Sequence, residues 1–116
     1  VPEDLLDVVA AVSGSGPAFV ALAMESLEDG AVSAGLSRQA ARIMVREAAL
    51  ETARLLSVHS DSPVGVRDHL TAGGGAYQAG IAVLEDRDVR SAFRQAVEAA
   101  LERSRRLRGT DPPPGR

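Results

Sequence analysis

The chain has 116 residues, a formal net charge of −3 and no cysteine. This length fits one domain, and the lack of cysteine excludes a disulfide framework, a thiolate nucleophile and a cysteine-based zinc site. All 13 basic residues are arginines, and the acidic balance disfavours nucleic acid, which needs a clustered positive face. His59 and His69 lack a ligand-type partner at helical spacing, so we expect no metal site.

We expect a cytoplasmic protein that does not enter a membrane. The sequence shows no signal-peptide pattern, and we find no uninterrupted apolar run of membrane length. Because the chain starts with Val1 rather than methionine, we expect either a single-domain chain or a piece cut from a larger protein.

The segment SGSGPA at residues 13–18 predicts the start of a helix. Gly14 and Gly16 permit a sharp turn, and Pro17 suits the first helical position, where its missing N–H costs nothing. Such a start is either a simple capped turn or an anion site, because free amides and the helix dipole attract negative charge. A dinucleotide-binding turn is rejected, since Phe19 replaces the third glycine and no second strand with an acidic end follows.

Two helices are predicted around this turn. The first covers residues 5–12, whose periodicity also fits a strand. The second covers residues 17–34 and is ended by Gly35. This second helix begins with a stretch that is apolar on every face, from Ala18 to Met24. A chain this short has few segments left to cover such a helix, so we expect a second chain to cover part of it.

Further helices are predicted downstream. Ser37 caps a helix from Arg38 to about Leu56, followed by a loop over 58–61 and a short helix from Pro63 to about Leu70. The apolar positions of the Arg38 helix are Ala41, Met44, Ala48, Thr52 and Leu55.

A glycine run, TAGGGAY at residues 71–77, precedes another predicted helix over residues 76–84. Three glycines in a row are kept where a backbone must approach another group closely, unless the segment is only a hinge. The helix after them again leaves amides free.

A last amphipathic helix starts at Asp86 or Asp88, and its apolar stripe comprises Val89, Phe93, Ala96, Val97, Ala100 and Leu101. The proline-rich residues 108–116 are predicted to be a disordered tail.

This order of features resembles the C-terminal dimerisation domain of Δ1-pyrroline-5-carboxylate reductases, over the chain up to about Leu107. The segments that carry the resemblance are AVSGSGPAF at 11–19, GLSR at 35–38, Pro63 with RDHLT at 67–71, AGI at 79–81 with Leu84 and Glu85, and Phe93 with AVEAALERS at 96–104.

The resemblance implies an all-α domain of the 6-phosphogluconate dehydrogenase C-terminal type, over residues 1–107, that intertwines with a second chain in a homodimer. Further assembly beyond the dimer is left open. It also implies a preceding Rossmann domain, absent from this chain, that binds NAD(P)H. The full-length family members reduce a cyclic imine, pyrroline-5-carboxylate, to proline, whereas the fragment alone is expected to be inactive.

By this resemblance the substrate carboxylate binds at the glycine run, so the predicted substrate-binding residues are Thr71, Gly74, Gly75, Ala76 and Tyr77. The predicted cofactor-binding residues are Ser15, Gly16 and Pro17, and no catalytic residue is assigned. The family's loop resembles Thr-Ser-Pro-Gly-Gly-Thr-Thr. This chain departs from it with Ala72 for the serine, Gly73 for the proline and Tyr77 for the last threonine.

The departures leave alternatives open. The chain is the substrate-side half of the reductase, a related imine reductase with another substrate, or a helical dimerisation module without catalysis.

Overall fold

The computed structural model describes residues 2–59 and 75–109. These residues form four helices and no strand, so the predicted all-α class is confirmed. The helices are α1 (Glu3–Ser33), α2 (Arg38–His59), α3 (Ala76–Asp86) and α4 (Val89–Leu107).

Helix α1 is one unbroken helix of 31 residues with Pro17 inside it. The predicted turn at residues 13–16 and the helix start at Pro17 are therefore wrong. A proline inside a helix removes one hydrogen bond and crowds the preceding residue. That residue is Gly16, which has no Cβ to crowd, so the apolar helix continues through the proline.

The continuity of α1 also corrects the expectation about membrane length. By length and composition alone, this helix could cross a membrane. The core helix of a water-soluble assembly passes the same test, so this property is weak support for a membrane span.

The turn from α1 to α2 follows the prediction closely. Gly35 has a φ of +122°, which only glycine adopts without strain, and it ends α1. The Ser37 hydroxyl accepts a hydrogen bond from the amide of Ala40 at 3.1 Å and so caps α2. Arg38 adds a hydrogen bond to Asp29 at 2.8 Å across the turn. Both the terminator and the cap are confirmed.

Helix α2 continues to His59, so the predicted loop at residues 58 and 59 is wrong. Its buried positions are Ala41 and Val45, one turn apart, whereas Met44 is 59% exposed. Of the predicted apolar positions, Ala41 is therefore buried, but Val45 is buried in place of Met44. The predicted short helix from Pro63 to Leu70 lies outside the described residues.

Helix α3 begins at Ala76 as predicted, and α4 begins directly after Asp88. Asp88 adopts the left-handed conformation, with φ 56° and ψ 45°. Most of the predicted stripe on α4 is half-buried, but Phe93 remains 45% exposed. Residues 110–116 of the predicted tail lie outside the described part of the chain.

The chain divides into two compact units. One combines α1 up to Ala21 with α4, and the other combines α1 from Leu22 with α2 and most of α3. In the first unit, Asp7 is only 8% exposed and accepts a hydrogen bond from Arg108 at 2.8 Å. Arg105 lies 3.7 Å from the same carboxylate, so both arginines fix the C-terminal end of α4 to α1.

Candidate functional site

The start of α3 provides the backbone geometry that the glycine run predicts. Gly75 has a φ of +98°, and its carbonyl accepts the amide of Ala79 at 3.1 Å. The first amides of a helix have no partner within that helix, and here they belong to Ala76, Tyr77 and Gln78. A Cβ at Gly75 would meet no atom within 4 Å, so its backbone conformation, rather than a lack of space within this chain, requires glycine.

Tyr77 is the bulky residue at this helix start. It is half-buried, while Ala76 before it and Gln78 after it are exposed. Thr71 and Gly74, the other predicted substrate-binding residues, lie outside the described residues, as do Ala72 and Gly73. The described part of the predicted substrate site is therefore Gly75, Ala76 and Tyr77.

The predicted cofactor-binding residues Ser15, Gly16 and Pro17 lie in the middle of α1. They cannot offer the free amides of a helix start, which was the physical basis of the anion-site alternative. What this segment offers instead is an acceptor, because Pro17 has no N–H to give to the carbonyl of Ser13 four residues earlier. Their role in cofactor binding stays a prediction.

Around these residues α1 exposes an apolar face. Leu6, Val9 and Val20 are 53%, 60% and 57% exposed, and Ser13 and Pro17 between them are also exposed. Their spacing of three and four residues puts them on one side of the helix. Residues 8–24 contain no charged side chain. An uncharged helix face of this kind is typical of an interface rather than of a solvated surface.

The second unit also exposes large apolar side chains. Among the described residues, the buried apolar ones are only Ala11, Ala41 and Val45. The exposed large apolar residues of the second unit are Leu22, Leu27, Leu36, Ile43, Met44, Leu50, Val58, Val83 and Leu84. One chain therefore leaves much of its apolar surface uncovered.

Ion pairs hold the helices at their ends. Glu28, with a side chain 14% exposed, lies 3.7 Å from Arg38 and 3.5 Å from Arg42, which ties α1 to α2. A hydrogen bond from Arg90 to Glu85, together with their opposite charges, raises the pKa of Arg90 above its ordinary value. Sequence reasoning missed these pairs, which depend on how neighbouring helices pack.

Among residues 2–59 and 75–109, no three histidine, aspartate or glutamate side chains gather into a group that could hold a metal ion. A shallow depression of about 220 Å³ lies along α4, lined by Ala99, Glu102, Arg103 and Arg106. It includes none of the predicted site residues.

The four helices and their uncovered apolar faces define a helical association domain. Comparison with known proteins identifies which one. The family described as pyrroline-5-carboxylate reductase dimerisation matches residues 3–107. The chain therefore belongs to this family, as its sequence motifs predict.

Curated relatives agree with this assignment. A pyrroline-5-carboxylate reductase of Synechocystis sp. is 48% identical over 107 residues, which are 92% of this chain and 40% of the relative. One from Arabidopsis thaliana is 40% identical over 105 residues, covering 90% of this chain and 38% of the relative. The chain thus spans about 40% of the length of these relatives.

Solved structures show the same fold. A pyrroline-5-carboxylate reductase from Coxiella burnetii superposes with a TM-score of 0.86 at 36% identity, over 92% of this chain and 40% of that one. A pyrroline carboxylate reductase from Plasmodium falciparum, solved with NADP bound, gives 0.84 at 31% identity, over 92% and 41%.

Proposed function

We propose that this chain is the dimerisation and substrate-side domain of an NAD(P)H-dependent reductase that converts pyrroline-5-carboxylate to proline. The observation that carries the proposal is the start of α3, where Gly75 turns the backbone and the first amides of the helix are free. A preceding nucleotide-binding domain supplies the cofactor, and the solved structure from Plasmodium falciparum with NADP bound supports a nicotinamide cofactor.

The substrate is an anion with one carboxylate and one C=N bond. Free amides and the positive end of the helix dipole at Ala76 and Tyr77 suit a carboxylate. Binding the carboxylate at this point fixes the imine at a constant distance from α3. When bound, the nicotinamide would supply the hydride for the imine carbon, and the imine nitrogen would take up a proton. The chain's own contribution is to hold and orient the substrate.

Tyr77 bears on which imine is reduced. The family's loop has a threonine at this position, and a half-buried tyrosine replaces its short hydroxyl side chain with a larger ring. A lost hydrogen bond to a charged substrate costs about 1.5 to 3 kcal/mol, which is roughly one to two powers of ten in affinity. A related imine reductase with a different substrate is therefore the second candidate.

The test is an assay of the full-length gene product with pyrroline-5-carboxylate and NADPH. A reductase of this specificity oxidises NADPH only when the imine is present. Tyr77→Thr is expected to raise kcat/KM for pyrroline-5-carboxylate by about tenfold, because it places a hydroxyl close to the helix amides and removes the bulk of the ring. Gln78→Ala, at the exposed neighbouring position, is the matched control and is expected to leave kcat/KM unchanged.

Two results would decide against these assignments. No NADPH oxidation by either protein, in the presence of a folded dimer, would rule out pyrroline-5-carboxylate as the substrate and leave the related imine reductase and the dimerisation module without catalysis. Normal wild-type activity with no gain in Tyr77→Thr would leave the function in place and contradict the role given to Tyr77.

The partner in this proposal is a second copy of the chain. The family name supports dimerisation, and the exposed face of α1 supplies an uncharged surface for it. Burying Leu6, Val9 and Val20 against a second chain contributes about 1.5 to 3 kcal/mol per fully covered side chain. Sedimentation equilibrium tests this, and a stable folded monomer at micromolar concentration would contradict it.

We further propose that the protein is cytoplasmic, with α1 buried in the dimer instead of in a bilayer. Cell fractionation separates the two cases. A cytoplasmic dimer appears in the supernatant after ultracentrifugation, whereas a membrane-spanning α1 keeps the protein in the pellet after an alkaline carbonate wash.

A further inference from the structure

The turn from α3 to α4 carries an ion pair whose two charges both oppose the helix dipoles. Glu85 lies in the last turn of α3, where the dipole favours a positive side chain. Arg90 lies in the first turn of α4, where the dipole favours a negative one. The stability of the two helices therefore does not explain why these charges lie here.

Glu85 and Arg90 meet across the turn although other charges lie closer in sequence. The Nε of Arg90 donates a hydrogen bond to Oε1 of Glu85 at 2.7 Å. The three residues Asp86, Arg87 and Asp88 form no ion pair with any other described residue. Asp88 also adopts the left-handed conformation, and such strain in a residue with a Cβ persists only where surrounding contacts hold it. The Glu85–Arg90 pair is the side-chain contact that closes this strained turn.

Helix α3 is only weakly fixed by packing within one chain. None of the 11 residues that the structure describes in α3 is buried. A rise of 1.5 Å per residue puts Ala76 about 14 Å from Glu85 along the helix. A tilt of about 5° at the turn therefore moves the amides of Ala76 and Tyr77 by about 1 Å. A misplacement of about 1 Å can slow an enzyme reaction by roughly a hundredfold.

We propose that the Glu85–Arg90 pair is a positioning pair that aims the substrate-binding start of α3 at the cofactor. This inference rests on the proposed function, in which the amides at Ala76 and Tyr77 bind the substrate carboxylate. The pair holds the turn, the turn sets the direction of α3, and α3 sets where the imine lies. Weakening the pair leaves the helix start intact, so the carboxylate still binds, but the imine is no longer aligned with the hydride donor.

The test compares three variants of the full-length protein with the wild type. Arg90→Gln removes one charge of the pair. The double variant Glu85→Arg with Arg90→Glu rebuilds the pair in the order that the helix dipoles favour. Arg54→Gln is the matched control, because Arg54 pairs with Glu51 at comparable exposure but within the single helix α2.

Three quantities are measured for each protein. Steady-state assays with pyrroline-5-carboxylate and NADPH give kcat and KM. The same assays with NADPH deuterated at the transferred hydrogen give the isotope effect on kcat. Urea denaturation gives the unfolding midpoint.

Arg90→Gln is expected to lower kcat about 2- to 5-fold, which is the range of an exposed ion pair, with little change in KM for the imine. The isotope effect on kcat should rise, because hydride transfer limits turnover more strongly. The urea midpoint should stay the same or increase, because a charge that opposes the helix dipole is lost. The double variant should restore kcat, and Arg54→Gln should match the wild type in all three quantities.

Three results with the variants would overturn the inference while leaving the proposed function in place. A lower kcat with an unchanged isotope effect and a lower urea midpoint would mean that the pair only stabilises the fold. Full activity of Arg90→Gln would mean that other contacts fix α3. A double variant as slow as Arg90→Gln would mean that Arg90 does not act through Glu85. No turnover by the wild-type protein would instead remove the proposed function, and the inference with it.

Discussion

The middle of α1 and the start of α3 share a glycine-rich sequence, yet their backbones differ completely. At the start of α3, Gly75 has a φ of +98°, and a new helix begins after it. In α1, Gly14 and Gly16 are helical residues, and the helix runs on through Pro17. The first segment therefore offers amide donors to a ligand, and the second offers a carbonyl acceptor. The comparison teaches that the same residue types mark opposite hydrogen-bonding roles.

The largest expected effect concerns the exposed apolar face of α1 and its role in dimerisation. Val9→Asp puts a charge into the uncharged exposed face, and burying that charge in an interface costs several kcal/mol. We expect the dimer to dissociate at least 100-fold more readily, measured by sedimentation equilibrium. Gln39→Asp, at an exposed polar position of α2, is the control and should leave the dimer intact. Equal association of both variants would show that this face stays in solvent.

A second prediction concerns the ion pairs that join α1 to the C-terminal end of α4. Asp7→Asn removes the charge that binds Arg108 and Arg105 at a nearly buried position. We expect the free energy of unfolding to fall by about 2 kcal/mol, the range for a hydrogen bond between charged groups. Urea denaturation measures this change.

The matched control for Asp7 is Glu102→Gln. That residue pairs with Arg106 one turn away in α4, but its side chain is 67% exposed. Exposed helical pairs contribute only about 0.3 to 0.5 kcal/mol. Similar losses for both variants would mean that the burial of Asp7 adds nothing to its ion pair.

The smallest predicted effect concerns the positive φ of Gly75 at the start of α3. Gly75→Ala forces a side chain into a positive φ and should lower the free energy of unfolding by about 1 to 2 kcal/mol. Gly80→Ala lies in the same helix with no positive φ and open space at its Cβ. It should raise stability by up to about 1 kcal/mol. If both substitutions acted in the same direction, the turn at Gly75 would not require glycine.

Local signals in the sequence predicted the helix ends well. Gly35 and Ser37 mark their helix boundaries where expected, and of the two predicted starts of the last helix, Asp86 and Asp88, Asp88 precedes it. Such signals act over three or four residues, so no alignment or fold is needed to interpret them.

The same rules failed at Pro17, because they treat proline and glycine as breaks without weighing the length of the helix around them. The loss of one hydrogen bond does not end a helix of 31 residues, because the backbone hydrogen bonds continue cooperatively on both sides of the proline. The pairing of Asp7 with Arg108 could not be predicted either. The two residues are 101 positions apart, and only the packing of α1 on α4 brings them together.

That pairing has a consequence for the chain's connectivity. Because Asp7 and Arg108 are in hydrogen-bond contact, the beginning of α1 and the segment just after α4 are spatial neighbours. A segment that enters α1 at Glu3 and a segment that leaves the chain after Gly109 therefore start close together in this unit.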